Sequence, residues 1–374
     1  MFSREELREI AKAGENGAGF VSLYLNVNPV TNPGGEYAIW VKNAIKEYRD
    51  AADPGILKLV EPDLKAIEGY MQANRRDFKK GLAVLSSKER SFWREYNLLV
   101  PVKNELVVDT APYIKPLLDI LERYKRYAVL VVDKETARIF VIHLGEITEY
   151  GEVHSEDVPG KHKKGGWFSL AQNHYDRHIS HHVGLHLKDV IKRFEPFIAG
   201  EDINRLVLGG SEEAVLRTKS MLPKTVQSKI IGTFQAGLYE GTLDVLKRAE
   251  PVLREYENQI ESDTVGDIIQ KAMKKERAVV GLEAVLRALQ EARVQKLVLE
   301  RDAAAMGLQC TACGALTEQE AAETCPYCGG RMEKVNHLMD LAVQKAVEQS
   351  AEVFIVPESQ ELRKVGSIGA MLRF

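Results

Sequence analysis

Val158-Pro-Gly-Lys-His-Lys-Lys-Gly-Gly-Trp167 precedes six apolar residues at helical spacing: Tyr175, Ile179, Val183, Leu187, Val190 and Phe194. Gly165 and Gly166 lack a Cβ, so the tip they form can approach another backbone closely. Lys161, His162, Lys163 and Lys164 place positive charge beside that tip, as a phosphate-rich partner requires. The six apolar residues define one buried face of a long helix, expected to run to about Arg193 and to be closed by Glu195-Pro-Phe. Upstream, Tyr127–Asp133 and Ala137–His143 are β-branched runs expected to be joined by a hairpin at Lys134-Glu-Thr136, with a third strand over 145–153. The pattern predicts a charged loop mounted between a sheet and a helix.

This central region is expected to span 124–197. Residues 1–123 form a first α/β unit: strands at Phe20–Val27, Gly81–Leu85, Ser91–Asn97 and Leu106–Val108, helices around Ile39–Asp50 and Pro62–Asn74. Residues 198–374 form a third. It starts with the strand Ile203–Leu208 and a Gly209-Gly210 turn, with close packing the likelier use of the glycines than phosphate binding. Ser211 then caps a helix. A strand at Val226–Thr233, two helices at Tyr239–Gln259 and Val265–Glu276, and a helix at Val279–Leu289 follow. Strands at Lys296–Glu300 and Val353–Val356 flank a helix at Leu338–Gln349. Strands alternating with helices predict an α/β, multi-domain fold whose last domain has a mixed sheet flanked by helices.

All four cysteines lie in one window: Cys310-x2-Cys313, eleven residues, then Cys325-Pro-Tyr-Cys328. Paired Cys-x2-Cys knuckles let four thiolates converge on one Zn²⁺, and Gly314 and Gly329 permit the turns. The reading is a structural zinc ribbon over 308–332, inserted into the last domain. A disulfide pair is the competing reading, disfavoured in a reducing compartment. Four cysteine ligands leave no open position, so the metal is not catalytic.

The chain has 374 residues, a net charge of −3 and 28% charged residues, which suits two or three globular domains. A net negative chain has no overall basic coat, so RNA contact must come from local patches. No apolar run approaches the length of a spanning helix, and no membrane partner is expected. Met1-Phe-Ser-Arg-Glu-Glu-Leu-Arg8 lacks an apolar signal region, so the expected location is cytoplasmic.

The Lys-His-Lys-Lys-Gly-Gly order and the long helix after it resemble the archaeal and eukaryotic class I peptide chain release factors and their relative Pelota. In that family a Gly-Gly-Gln loop enters the peptidyl transferase centre, where the Gln helps water attack the peptidyl-tRNA ester. Here Trp167 stands in place of that Gln. Members similar to ANKZF-type tRNA hydrolases place a Gln a few residues later, which makes Gln172 the candidate catalytic residue beside Gly165 and Gly166. An amide has no useful pKa, so Gln172 could only orient water or donate to an oxyanion. The alternative is a solvated helix residue, out of reach of the tip if residues 168–171 are already helical.

Trp167 either stacks on an rRNA base or packs on its own domain. His174, His178, His181, His182 and His186 form a helix flank that contacts RNA or water, with a metal site the lesser reading. The family's Thr-Ala-Ser-Asn-Ile-Lys-Ser codon-reading segment is absent, which removes support for stop-codon decoding. The helix Val279–Leu289, the ending Gly366-Ser-Ile-Gly-Ala-Met-Leu-Arg373 and the cysteine pairs resemble the family's C-terminal domain, which contacts a translational GTPase. The resemblance implies a ribosome, rRNA and tRNA as partners, with such a GTPase as a further candidate. Two functions stay open: a codon-independent peptidyl-tRNA hydrolase in ribosome rescue or quality control, or a non-catalytic ribosome binder of the Pelota type in rescue or hibernation. An unrelated RNA-processing role on the same scaffold ranks last.

Overall fold

The computed structural model describes residues 2–13, 19–144, 146–154, 169–201, 203–237, 239–319 and 323–374, with backbone alone for 153–154 and 169–182. Two compact units result: Met1–Arg123 together with Ser262–Phe374, and Tyr124–Glu261.

In the first unit, α1 (Arg4–Lys12) starts at Ser3, whose hydroxyl accepts from the Glu6 N–H at 3.1 Å. Strand β1 (Phe20–Asn26) leads to α2 (Tyr37–Ala51) and α3 (Pro54–Ala73), then to β2 (Gly81–Ser87), β3 (Phe92–Leu98), β4 (Glu105–Asp109) and α4 (Lys115–Arg123). The four strands make an antiparallel sheet in the order β3-β2-β1-β4. Val21, Leu23 and Leu25 alternate onto one face, where Val41 and Ile45 of α2 and Val60, Leu64 and Ile67 of α3 bury them.

In the second unit, β5 (Tyr127–Val132), β6 (Thr136–His143) and β7 (Glu146–His154) form an antiparallel meander before α5 (Ser169–Gly200). Then come β8 (Leu206–Gly210), α6 (Glu212–Met221), the short α7 (Lys224–Gln227), β9 (Ile230–Gln235) and α8 (Thr242–Met273), which contributes residues to both units. One mixed sheet, β7-β6-β5-β8-β9, holds all five strands, with β5, β8 and β9 parallel. The period of two along β5 sorts its side chains. Ala128, Leu130 and Val132 face Val190, Phe194 and Ile198 of α5, whereas Tyr127, Val129 and Val131 share a cluster with Val245, Ala249 and Leu253 of α8.

The first unit resumes with β10 (Ala278–Val280), α9 (Leu282–Gln290), β11 (Val294–Glu300), β12 (Gly307–Cys310), β13 (Leu316–Thr317), β14 (Met332–Val335), α10 (Leu338–Glu348), β15 (Glu352–Val356), α11 (Gln360–Lys364) and β16 (Ile368–Leu372). Its second sheet, β10-β16-β11-β15, is mixed, with β11 and β15 parallel. Strands β13-β12-β14 make the small sheet that carries the cysteines. The N- and C-terminal segments are bonded together: Lys115 pairs with Asp340 at 3.0 Å, Arg301 with Asp119 at 2.9 Å, and the Gln344 amide donates to the Ala11 carbonyl at 3.2 Å.

Several expectations need correction. A boundary at 197/198 would cut the five-stranded sheet, because β5 pairs with β8 across it. Residues 262–374 are part of the unit that holds 1–123. Helix α5 does not stop at Glu195; it continues through Pro196 to Gly200, because Ile198 is buried on the same sheet face as Phe194. That burial offsets the roughly 3 kcal/mol cost of an interior proline. The helices expected at 239–259 and 265–276 are one, α8. Val279 and Val280 belong to β10, paired with β16, and the helix starts only after Gly281 at φ +86°. Residues 226–229 precede the strand expected at Val226–Thr233, which begins at Ile230. Gly209 and Gly210 lie within β8 and are packing residues: a Cβ on Gly210 would sit 2.1 Å from the Val132 carbonyl oxygen. Ser211 does cap α6, accepting from the Ala214 N–H at 3.4 Å.

Candidate functional site

The cysteine centre is built from two similar turns. In each, the N–H of a glycine bonds back to the carbonyl of the first cysteine: Gly314 to Cys310 at 3.0 Å, Gly329 to Cys325 at 2.9 Å. Both glycines have positive φ, +64° and +73°, which a glycine adopts without strain. Backbone N–H groups aim at sulfur, from Ala312 to Cys310, Tyr327 to Cys325 and Gly330 to Cys328, each at 3.4 Å. The four Sγ atoms of Cys310, Cys313, Cys325 and Cys328 lie within 4.8 Å of one another. The pairs Cys310–Cys328 and Cys313–Cys325 are 3.5 and 3.6 Å apart. A disulfide would need about 2.05 Å. A tetrahedral tetrathiolate with 2.3 Å bonds has edges of about 3.8 Å, so the set is shaped to hold a metal ion. A Cβ on Gly330 would meet the Ala312 Cβ at 2.9 Å and the Cys310 and Cys328 sulfurs at 3.1 and 3.3 Å, so glycine spares the knuckles a displacement.

The protonation of this set is divided. Burial opposes ionisation of Cys310, but the N–H groups of Cys313 and Ala312 outweigh it and bring the thiol down to about 6. Burial pushes the Cys313 thiol up to about 12, helped by the neighbouring sulfurs. One proton leaves easily and the next does not, because burial disfavours the second thiolate. A central cation reverses that balance and deprotonates its ligands.

The sequence also singles out the loop. Lys161, His162, Lys163, Lys164, Gly165, Gly166 and Trp167 lie outside the described residues. Gln172, His174 and His178 fall on the backbone of α5, which begins at Ser169; their side chains, with those of His181 and His182, also lie outside the description. The helical backbone therefore already includes 169–171. At 1.5 Å per residue, Gln172 lies one turn inside the helix start. Val183, Leu187, Val190 and Phe194 are buried as expected. His186 is a correction: it is 2% exposed and belongs to the helix's inward face, not to a solvated flank.

One residue near the centre carried no sequence signal. Lys345 of α10 donates to the Gly314 carbonyl oxygen at 3.0 Å and to the Gln290 side-chain oxygen. A lysine at that position of an amphipathic helix reads as an ordinary solvated charge.

Residues 112–254 match the model of bacterial archaeo-eukaryotic release factor family 10. Peptide chain release factor subunit 1 of Archaeoglobus fulgidus is 22% identical over 407 residues, covering 99% of this chain and 96% of the relative. Both likenesses are to release factors. The same subunit of Methanopyrus kandleri is 30% identical over 214 residues, 55% of the chain and 51% of the relative. Among solved structures, S. cerevisiae Dom34, a translation termination-like factor, is similar at 10% identity and a TM-score of 0.43 over 79% of each chain. So loose a superposition says nothing about function. No helix among the described residues is long and apolar enough to cross a membrane.

Proposed function

We propose that the chain is a ribosome-associated, codon-independent release-factor-like protein acting in rescue or quality control. The observation that carries this reading is the similarity to an archaeal release factor along nearly the whole of both chains. In this reading Lys161, His162, Lys163 and Lys164 bind RNA phosphates beside the Gly165-Gly166 tip, with Trp167, His174 and His178 as further RNA contacts. Peptidyl-tRNA is the substrate and a translational GTPase a partner. Residues 1–123 dock without reading a codon. The four cysteines hold a structural Zn²⁺, which holds the ribbon together and takes no part in chemistry.

A second reading is non-catalytic occupation of the ribosome. Two observations favour it: Trp167 stands where the resembled family has its Gln, and Gln172 begins one turn inside α5. The deciding experiment uses stalled ribosomes with labelled peptidyl-tRNA in the P site and compares the parent chain with Gln172→Ala. Release lost in the variant makes Gln172 the positioning amide of a hydrolase. Release that survives keeps the hydrolase and removes Gln172 from it. Binding without release selects the second reading, and neither binding nor release overturns both.

A further inference from the structure

We propose that Lys345 is the counter-charge of the four-cysteine centre and helps set how tightly that centre holds a divalent metal. The proposal rests on the metal reading above. Four thiolates around one divalent cation leave about two negative charges, and a cluster partly removed from water needs a cation nearby to offset them. Lys345 is placed for that. It stands among the buried residues Gln344, Ala346 and Val347 of α10, and its ammonium reaches the carbonyl of Gly314, the residue directly after Cys313.

Its hydrogen-bond acceptors, the Gly314 carbonyl and the Gln290 amide oxygen, are both neutral. Among the described residues no salt bridge joins it to a carboxylate, and Glu348 on the same helix accepts from Gln344 at 2.9 Å. An ammonium drawn out of water against neutral acceptors is costly. Burial accordingly pulls Lys345 below the ordinary lysine range, while the charges of Cys313, Glu348, Cys325 and Cys310 act to raise it. Four neutral thiols or two disulfides would leave most of that cost standing. A metal tetrathiolate supplies the missing negative charge. Because Gly314 also donates to the Cys310 carbonyl, the lysine grips the first knuckle from behind its ligands.

The test uses the full-length chain and cobalt(II), whose sulfur-to-metal absorption reports a tetrathiolate, with zinc affinity measured by competition against a chromophoric chelator. Lys345→Met is expected to weaken metal binding about tenfold or more, the usual scale for groups that support ligands. Its cobalt spectrum should keep its shape, and its metal-free melting temperature should not fall. Lys345→Arg, which keeps the charge, should bind within a few fold of the parent. If Lys345→Met does not fold, Lys345→Gln carries the same comparison. Unchanged affinity in the neutral variant overturns the proposal. So does equal loss of stability with and without metal, which marks a packing role alone. Absence of a cobalt band in the parent chain is a separate result: it removes the metal reading, and this proposal with it.

Discussion

Gly210 is a residue whose identity is decided by one contact. Its φ is +138°, and a Cβ there would press on the backbone oxygen of Val132, which pairs in the neighbouring strand and cannot move aside. Gly210→Ala should therefore cost about 3 kcal/mol in urea unfolding; a loss below about 1 kcal/mol would show that the strand shifts freely. Gly209 differs, since a Cβ there meets only the Phe234 ring, a side chain that can yield. Glu105 gives a pH-dependent case. Burial holds its carboxyl above the usual range, Asp340 adds to this, and Lys103 and Lys115 oppose it. The folded chain thus holds this proton more tightly than the unfolded chain. The stability it contributes is full below the unfolded value and is lost as pH rises through the raised one. Glu105→Gln, which keeps an acceptor, should match the parent in acid and become the more stable chain at neutral pH. Denaturant midpoints measured across that range decide it, and a constant difference between the two chains would remove the titration from the account.

Helix α5 shows what a single element contributes. Phe194 is fully buried against Ala128, Leu130 and Val132 of β5, so Phe194→Ala should cost about 3–5 kcal/mol, read by chemical denaturation. A loss near 1 kcal/mol would mean that Phe197, packed beside it, fills the space. The inward face of this helix was legible in the sequence because burial on one side imposes a 3.6-residue period, and Val183, Leu187, Val190 and Phe194 follow it. Its end was not, because a proline's local cost does not reveal that Ile198 is buried beyond it. The same holds for α8, where Ile260-Glu-Ser-Asp-Thr264 reads as a break yet the helix runs on to Val265 and Ile268, which are buried. The division of the chain was misread at 197/198 for a related reason: parallel pairing of β5 with β8 is non-local and leaves no mark on either strand. The cysteines were legible because their chemistry depends on short spacings, which a sequence states outright. Lys345 was not, since its role depends on a fold that brings residue 314 to residue 345.

At the scale of the molecule, distant segments depend on one another. The ribbon is tied to α10 by Lys345, and α10 is tied to α1 by the Gln344–Ala11 bond within the same unit. With a metal held by the four cysteines, as proposed, a strong chelator should therefore lower the melting temperature of the whole chain, not only loosen the ribbon; an unchanged melt would show that the ribbon unfolds alone. The charge distribution leads to the remaining prediction. With a net charge of −3, the chain is repelled on average by RNA, so the proposed ribosomal association would be concentrated at local cationic patches such as 161–164. Phosphate contacts release counterions, and each contributes roughly 0.7–0.9 to the slope of log affinity against log salt. Replacing Lys161, Lys163 and Lys164 together by alanine should lower that slope by about 2 in ribosome pelleting assays, with the weakest effect at high salt. Losing affinity with an unchanged slope would mean that these lysines act by shaping the loop, and the RNA contacts would then have to be sought on another face of the molecule.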